Sequence, residues 1–168
     1  MKIRDRIVEL RRVPAKDLIP NPKNWRTHPA AQRDALQGLL AEIGYADALL
    51  ARETPEGLVL IDGHLRAETT PDSEVPVLVL DVTEEEASKI LLTLDPLAAM
   101  AESDRDALKD LLSTVESESE AVRNLFARIA EDSGIMPPDF DPASLEEQGL
   151  LDRKNKVTCP ECGHEFTP

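Results

Sequence analysis

Aromatic side chains make up only 3% of this 168-residue sequence, with Trp25 and Tyr45 the only ones besides three phenylalanines. So few ring faces exclude the stacking platform that single-stranded nucleic-acid binders use. Positive charge is also short: 19 Lys and Arg stand against 33 Asp and Glu, for a formal net charge of −14. A chain so charged does not coat DNA through non-specific phosphate contacts. No apolar run reaches the ~20 residues of a membrane-spanning helix. Residues 1–20 carry charges throughout and hold no apolar core of the signal-peptide kind, which points to the cytoplasm. Cysteine occurs twice, in a single Cys-x-x-Cys. That arrangement suits metal binding in a reducing compartment better than a disulfide framework.

What is present describes a globular protein: 41% hydrophobic and 31% charged residues, enough for one domain with a core and some appendages. The charge is uneven. Lys2, Arg4, Arg6, Arg11, Arg12, Lys16, Lys23, Arg26 and Arg33 crowd the N-terminal fifth, opposed there only by Asp5, Glu9 and Asp17. An anionic ligand, DNA included, meets this part first.

Residues 3–13 mix apolar and basic residues in a short amphipathic segment, helical or extended, that Pro14 interrupts. Leu18-Ile19-Pro20-Asn21-Pro22-Lys23-Asn24-Trp25-Arg26 has prolines that withhold backbone donors and favour an extended loop. Asn21, Asn24 and Arg26 are its polar ligand candidates; the plainer reading is a connector whose Trp25 plugs the core. The spacing of Leu36, Leu39, Leu40 and Ile43 predicts a helix over 29–43, with Gly44 as its C-cap. Strands are expected at 48–52 and 58–61 around the Pro55-Glu56-Gly57 turn, and at 75–80. The near-continuous apolar character of the last suggests burial on both faces. Three helices follow. The first starts in a capping box at Thr83 and stops at Asp95-Pro96; the second starts from Ser103-Asp104; the third covers 119–132 and ends at Gly134. Their apolar stripes read as core or dimer surface.

The stretch Leu58–Glu68 organises the rest. An apolar strand closed by Asp62-Gly63 and followed at once by helix-forming residues leaves backbone N–H groups pointing outward, a junction that suits an anion. Arg66, one turn in, adds a forked charged donor. A tight turn with a solvated arginine is the plainer alternative.

Residues 135–156, with Pro137-Pro138 and several carboxylates, read as a flexible acidic linker. The tail, 157–168, contains Cys159-Pro160-Glu161-Cys162-Gly163-His164, a knuckle in which two thiolates and His164 are candidate Zn²⁺ ligands. One knuckle falls short of four ligands, so completion by a second chain is the alternative to a self-contained site.

Leu18-Ile19-Pro20-Asn21-Pro22 through Arg26, then a helix, a hairpin, Gly63-His64-Leu65-Arg66 and Val75–Val79, together resemble the N-terminal domain of the ParB/sulfiredoxin family. The resemblance covers about residues 10–82, and the helices from Thr83 are similar to those of stand-alone ParB-like proteins. It implies an α+β fold, a small mixed sheet with helices over residues 1–82, then a helical extension over 83–134 and the zinc-knuckle-like tail. By position it makes Gly63 and Arg66 the phosphate-binding turn, His64 the variable place beside it, and Asn21 and Arg26 part of the first loop. Glu42 lies in the helix whose acidic residues supply metal or catalytic groups in some members. Nucleoside triphosphate with Mg²⁺, CTP or ATP, is the implied ligand; DNA through the basic N-terminus, a homodimer or a protein partner are the implied associations.

The departures narrow this. The sulfiredoxin nucleophile is a cysteine where this chain has His64, which argues against sulfinic-acid repair. Leu65 replaces the second arginine of the partition motif, and no Glu-Asn-x-Gln-Arg segment follows. The sequence therefore reads first as a nucleotide-binding module linked to DNA or partition-type processes. The alternatives are a phosphotransferase or nuclease, with His64 and Glu42 as catalytic candidates and Glu42, Asp62 or Glu68 on Mg²⁺, and an adaptor that recruits a protein. Whether the chain is an enzyme is left open.

Overall fold

The apolar run at 75–80 forms an interior strand of a four-stranded sheet. The structure is a computed structural model that describes residues 3–135 and the residue pairs 157–158 and 165–166. β1 (Ile7–Pro14), β2 (Leu49–Thr54), β3 (Gly57–Asp62) and β4 (Glu74–Leu80) lie in the order β1-β4-β2-β3. β4 runs antiparallel to β1 and parallel to β2, and β2 is antiparallel to β3, so the sheet is mixed. Pro76 is tolerated in this interior strand because the β2 register begins only at Val77, leaving position 76 with β1 alone as neighbour.

Both faces of the sheet are covered, as the run of apolar residues requires. Val75, Val77 and Val79 pack with Val13, Leu18, Leu49, Leu58, Leu60 and Ala67 on one face. Leu80 packs with Ile61 and Ala87 on the other, where Ile90 and Leu91 close the cluster. The amphipathic segment near the N-terminus resolves as the edge strand β1, since its Ile7-to-Pro14 backbone has β4 to pair with.

The helices are α1 (Ala30–Glu42), α2 (His64–Thr69), α3 (Glu84–Ala99), α4 (Arg105–Thr114) and α5 (Glu120–Asp132), with one 3-10 turn at Ala15–Asp17. Their starts are chemically marked. Thr83 and Glu86 form a reciprocal capping box on α3, and Asp104 and Ser119 cap α4 and α5 with side-chain oxygens. Glu86 also receives the fork of Arg6 at 2.9 and 2.8 Å, which ties the start of α3 to the strand β1.

α3 does not stop at Pro96 but runs one turn further. A proline removes only one helical N–H, and near the end of a helix the Met100 N–H still reaches the Pro96 carbonyl at 3.1 Å. Residues 136–168 form a separate unit, of which the described part is a two-strand pair, β5 (Val157–Thr158) antiparallel to β6 (Glu165–Phe166). Cys159, Cys162 and His164, the zinc-ligand candidates, and most of the acidic linker lie outside the described residues. No helix among the described residues is long and apolar enough to cross a membrane.

Candidate phosphate-binding cleft

The turn between β3 and α2 is tightly constrained. Gly63 is left-handed, with φ +92°, and a Cβ there would lie 2.5 Å from Leu49 Cγ. Only glycine fits, on both backbone and steric grounds. The first helical bond of α2 runs from the Ala67 N–H to the Gly63 carbonyl at 3.0 Å. The N–H groups of His64, Leu65 and Arg66 therefore precede any intrahelical acceptor.

The first loop is fastened beside this turn. Ile19 joins the free edge of β3, its N–H donating to the Leu58 carbonyl at 2.8 Å and its carbonyl accepting from the Leu60 N–H at 2.9 Å. That register brings Asn21 next to α2. Its side-chain amide donates to the Leu60 carbonyl at 3.0 Å, its Oδ1 accepts from the Lys23 N–H, and its own N–H donates to His64 Nε2 at 3.2 Å. Asn21 thus spends its polar atoms on holding the loop and is not among the residues lining the cleft described below.

His64 is buried. Because Nε2 accepts a backbone N–H, the ring is neutral with its proton on Nδ1. Burial pushes its pKa below the ordinary histidine value, with His28 acting in the same direction and the carboxylates of Asp62 and Glu68 opposing. The lone pair a general base would use is engaged.

Arg66 is mostly buried and clamped by two carboxylates, Asp47 Oδ2 at 2.5 Å and Asp62 Oδ2 at 3.0 Å. Asp62 sits four residues earlier, a spacing visible in the sequence. Asp47, 77% exposed at its side chain, comes from the loop before β2, and no local pattern announces it. Burial raises the Asp47 pKa, but the Arg66 guanidinium outweighs it and leaves the carboxyl below its ordinary range.

Arg26 lies over the Trp25 ring, its guanidinium carbon 4.7 Å from the centroid. Trp25 is itself 55% exposed and plugs no core. Arg26 Nε sits 2.6 Å from Asp95 Oδ2 on α3, yet the N–H is not aimed along that line and has no hydrogen-bond partner. Charge is matched there while a buried donor is left over.

These groups surround one cleft of about 820 Å³. Its walls are the loop residues Asn24, Arg26 and His28, the junction Asp62 to Arg66, Leu36 and Leu39 of α1, Asp95 of α3, and Asn124, Leu125 and Arg128 of α5. Among the expected site residues, Gly63, His64, Arg66 and Arg26 are brought together here. Glu42 is not. Its carboxylate accepts from the Ser117 hydroxyl at 2.7 Å and the Ser119 N–H at 2.9 Å, which ties α1 to the start of α5 and lowers its pKa. Glu68 does not line the cleft either. The contribution of α5 had no signal in the sequence, since its stripe reads as core.

The basic N-terminus is partly neutralised within the chain. Arg4 and Arg6 pair with Glu86, Arg11 with Glu9 and Glu53, and Lys23 with Glu84. Among the described residues, no cluster of three or more His, Cys, Asp or Glu stands ready to hold a metal.

No protein-family model matches the chain, and no curated protein matches it. Solved structures do. The C-terminally truncated chromosome-partitioning protein ParB from Caulobacter crescentus, complexed with CTP-γ-S, aligns with a TM-score of 0.53 and 19% identity, over 76% of this chain and 72% of that one. The same protein complexed to the centromeric parS site aligns with a TM-score of 0.43 and 18% identity, over 75% and 65% of the two chains. A Pnob8-like ParB-N domain gives a TM-score of 0.42 and 18% identity, over 96% and 59%. The four-stranded mixed sheet with its helices has the fold of the ParB N-terminal domain.

Proposed function

We propose that this ParB N-terminal fold serves here as a nucleotide-binding module, taking CTP or ATP with Mg²⁺ in the cleft beside Gly63. The observation that carries the reading is the glycine-only turn at the head of α2, whose first three N–H groups precede any intrahelical acceptor, on a cleft that Arg26 and Arg66 also line. Unsatisfied N–H groups and guanidinium forks are the donors that phosphate oxygens take. The CTP-γ-S held by the Caulobacter protein of like fold supports the choice of ligand class. The cleft volume falls in the ~300–1,000 Å³ range of small-molecule sites.

Mg²⁺ would arrive with the phosphates, and Asp62 and Asp95 on the cleft wall would accept from its waters. Arg66 would exchange Asp47, the more exposed of its two partners, for phosphate. DNA contact, proposed on the basic N-terminus, would fall to Arg12, Lys16 and Arg33, which are exposed and outside the ion pairs of the described residues. Exposed Leu92 and Leu97 on α3, with Met100 just past its end, support self-association as a homodimer. A thermal-shift screen of CTP, ATP, GTP and UTP with and without Mg²⁺ tests the module. A rise in Tm with CTP or ATP that needs Mg²⁺ is expected, and no rise with any of the four would contradict it.

A further inference from the structure

We propose that α5 is a wall of the ligand site, with Arg128 and Asn124 forming a second anion-binding group across the cleft from the Gly63 turn. The nucleotide reading supplies the ligand's identity; the placement of α5 and the state of its arginine supply the rest.

α5 is fixed, not loosely appended. Val122 is fully buried, Ala130 is buried, and Gly38 of α1 approaches so closely that a Cβ would lie 2.8 Å from Val122 Cγ2. Glu42 binds both Ser117 and the Ser119 N–H at the head of the helix. Side chains on the cleft side of α5 are thus presented at a set height above α1.

The three guanidinium groups on the cleft wall are in different states. Arg66 is clamped by Asp47 and Asp62, and Arg26 is charge-matched by Asp95. Arg128 forms no ion pair among the described residues, although Asp132 lies one turn further along the same wall. An arriving anion meets Arg128 without displacing a carboxylate, whereas binding at Arg66 requires that exchange. Asn124, one turn before Arg128, adds an uncharged donor on the same face. A ligand that uses both walls has anionic groups in series, which is the chemistry of a polyphosphate or its nucleoside ester.

The test titrates the full chain with CTP·Mg²⁺, ATP·Mg²⁺ and inorganic tripolyphosphate, comparing the original sequence with Arg128→Ala, Arg128→Lys, Arg66→Ala and the distant control Lys109→Ala. Arg128→Ala is expected to weaken binding about 10- to 100-fold, the range for a lost charge-assisted bond. Its thermal melt should be unchanged, because the side chain is exposed. Arg128→Lys should recover part of the loss, and Lys109→Ala should bind normally. Full binding by Arg128→Ala together with loss in Arg66→Ala overturns the α5 proposal while nucleotide binding stands. Tripolyphosphate binding that Arg128→Ala abolishes, with no binding of either nucleotide, upholds the α5 proposal and removes the nucleotide reading. No binding of any anion overturns both.

Discussion

His64 shows how one side chain can change roles between the sequence and the fold. By position it stands beside the phosphate turn and reads as a candidate base. In the structure its Nε2 holds the Asn21 N–H, so protonation would break the bond that seats the first loop. With a folded pKa below the ordinary 6.5, the neutral ring is favoured by folding. Its contribution to stability is therefore complete above pH 6.5 and is lost as pH falls through the lowered folded value. The Glu86 carboxyl, held near a pKa of about 2 first by its hydrogen bond from Arg6, acts in a different window: its contribution is complete above 4.5 and lost as pH falls through about 2. Urea melts between pH 7 and 5 should show a decline in stability that His64→Gln, which keeps an acceptor, flattens. An unchanged slope in that variant would mean the ring is not the titrating group. Gly63 and Arg66 were readable because their role is local, a turn and the helix that follows it. Asp47, nineteen residues before Arg66, meets it only once β2 and β3 pair.

Among the elements, most boundaries follow from signals that act over a few residues: the Thr83 capping box, the Ser119 cap, the Pro55–Gly57 turn and the apolar continuity of β4. What needed the fold was pairing and docking. β1 became a strand because β4 offered it an edge, and α3 outlasted Pro96 because a proline near a helix end costs little. The docking of α5 on α1 rests on a glycine whose purpose is invisible locally. Gly38 would gain helix propensity as alanine, about 1 kcal/mol. Its Cβ, however, would lie 2.3 Å from Ser119 Oγ and 2.8 Å from Val122 Cγ2, closer than real contacts allow. Overpacking should win, and Gly38→Ala is expected to lower unfolding stability by about 1–3 kcal/mol in urea denaturation. A more stable variant would show that the two helices are free to part.

For the whole molecule, the crowded N-terminal cations suggested a DNA arm, while the folded chain commits Arg4, Arg6, Arg11, Lys23 and Arg26 to its own carboxylates. Linear charge counts cannot foresee this, because Glu84 and Glu86 reach Lys23 and Arg6 only when α3 folds across the sheet. With Arg12, Lys16 and Arg33 the N-terminal cations left outside ion pairs among the described residues, the affinity of the nucleotide-free chain for duplex DNA should follow salt with a log–log slope no steeper than about −3. A much steeper slope in fluorescence anisotropy would mean that the ion pairs open on DNA. The cleft beside Gly63 is the nucleotide site proposed for this chain. Calorimetric titration of CTP·Mg²⁺ and ATP·Mg²⁺ into the full chain, and into Arg66→Ala checked for an intact melt, tests it most directly. One saturable site for at least one nucleotide, weakened about tenfold or more in Arg66→Ala, is the predicted result. Absence of binding to the original chain, or identical isotherms for the two proteins, would contradict it.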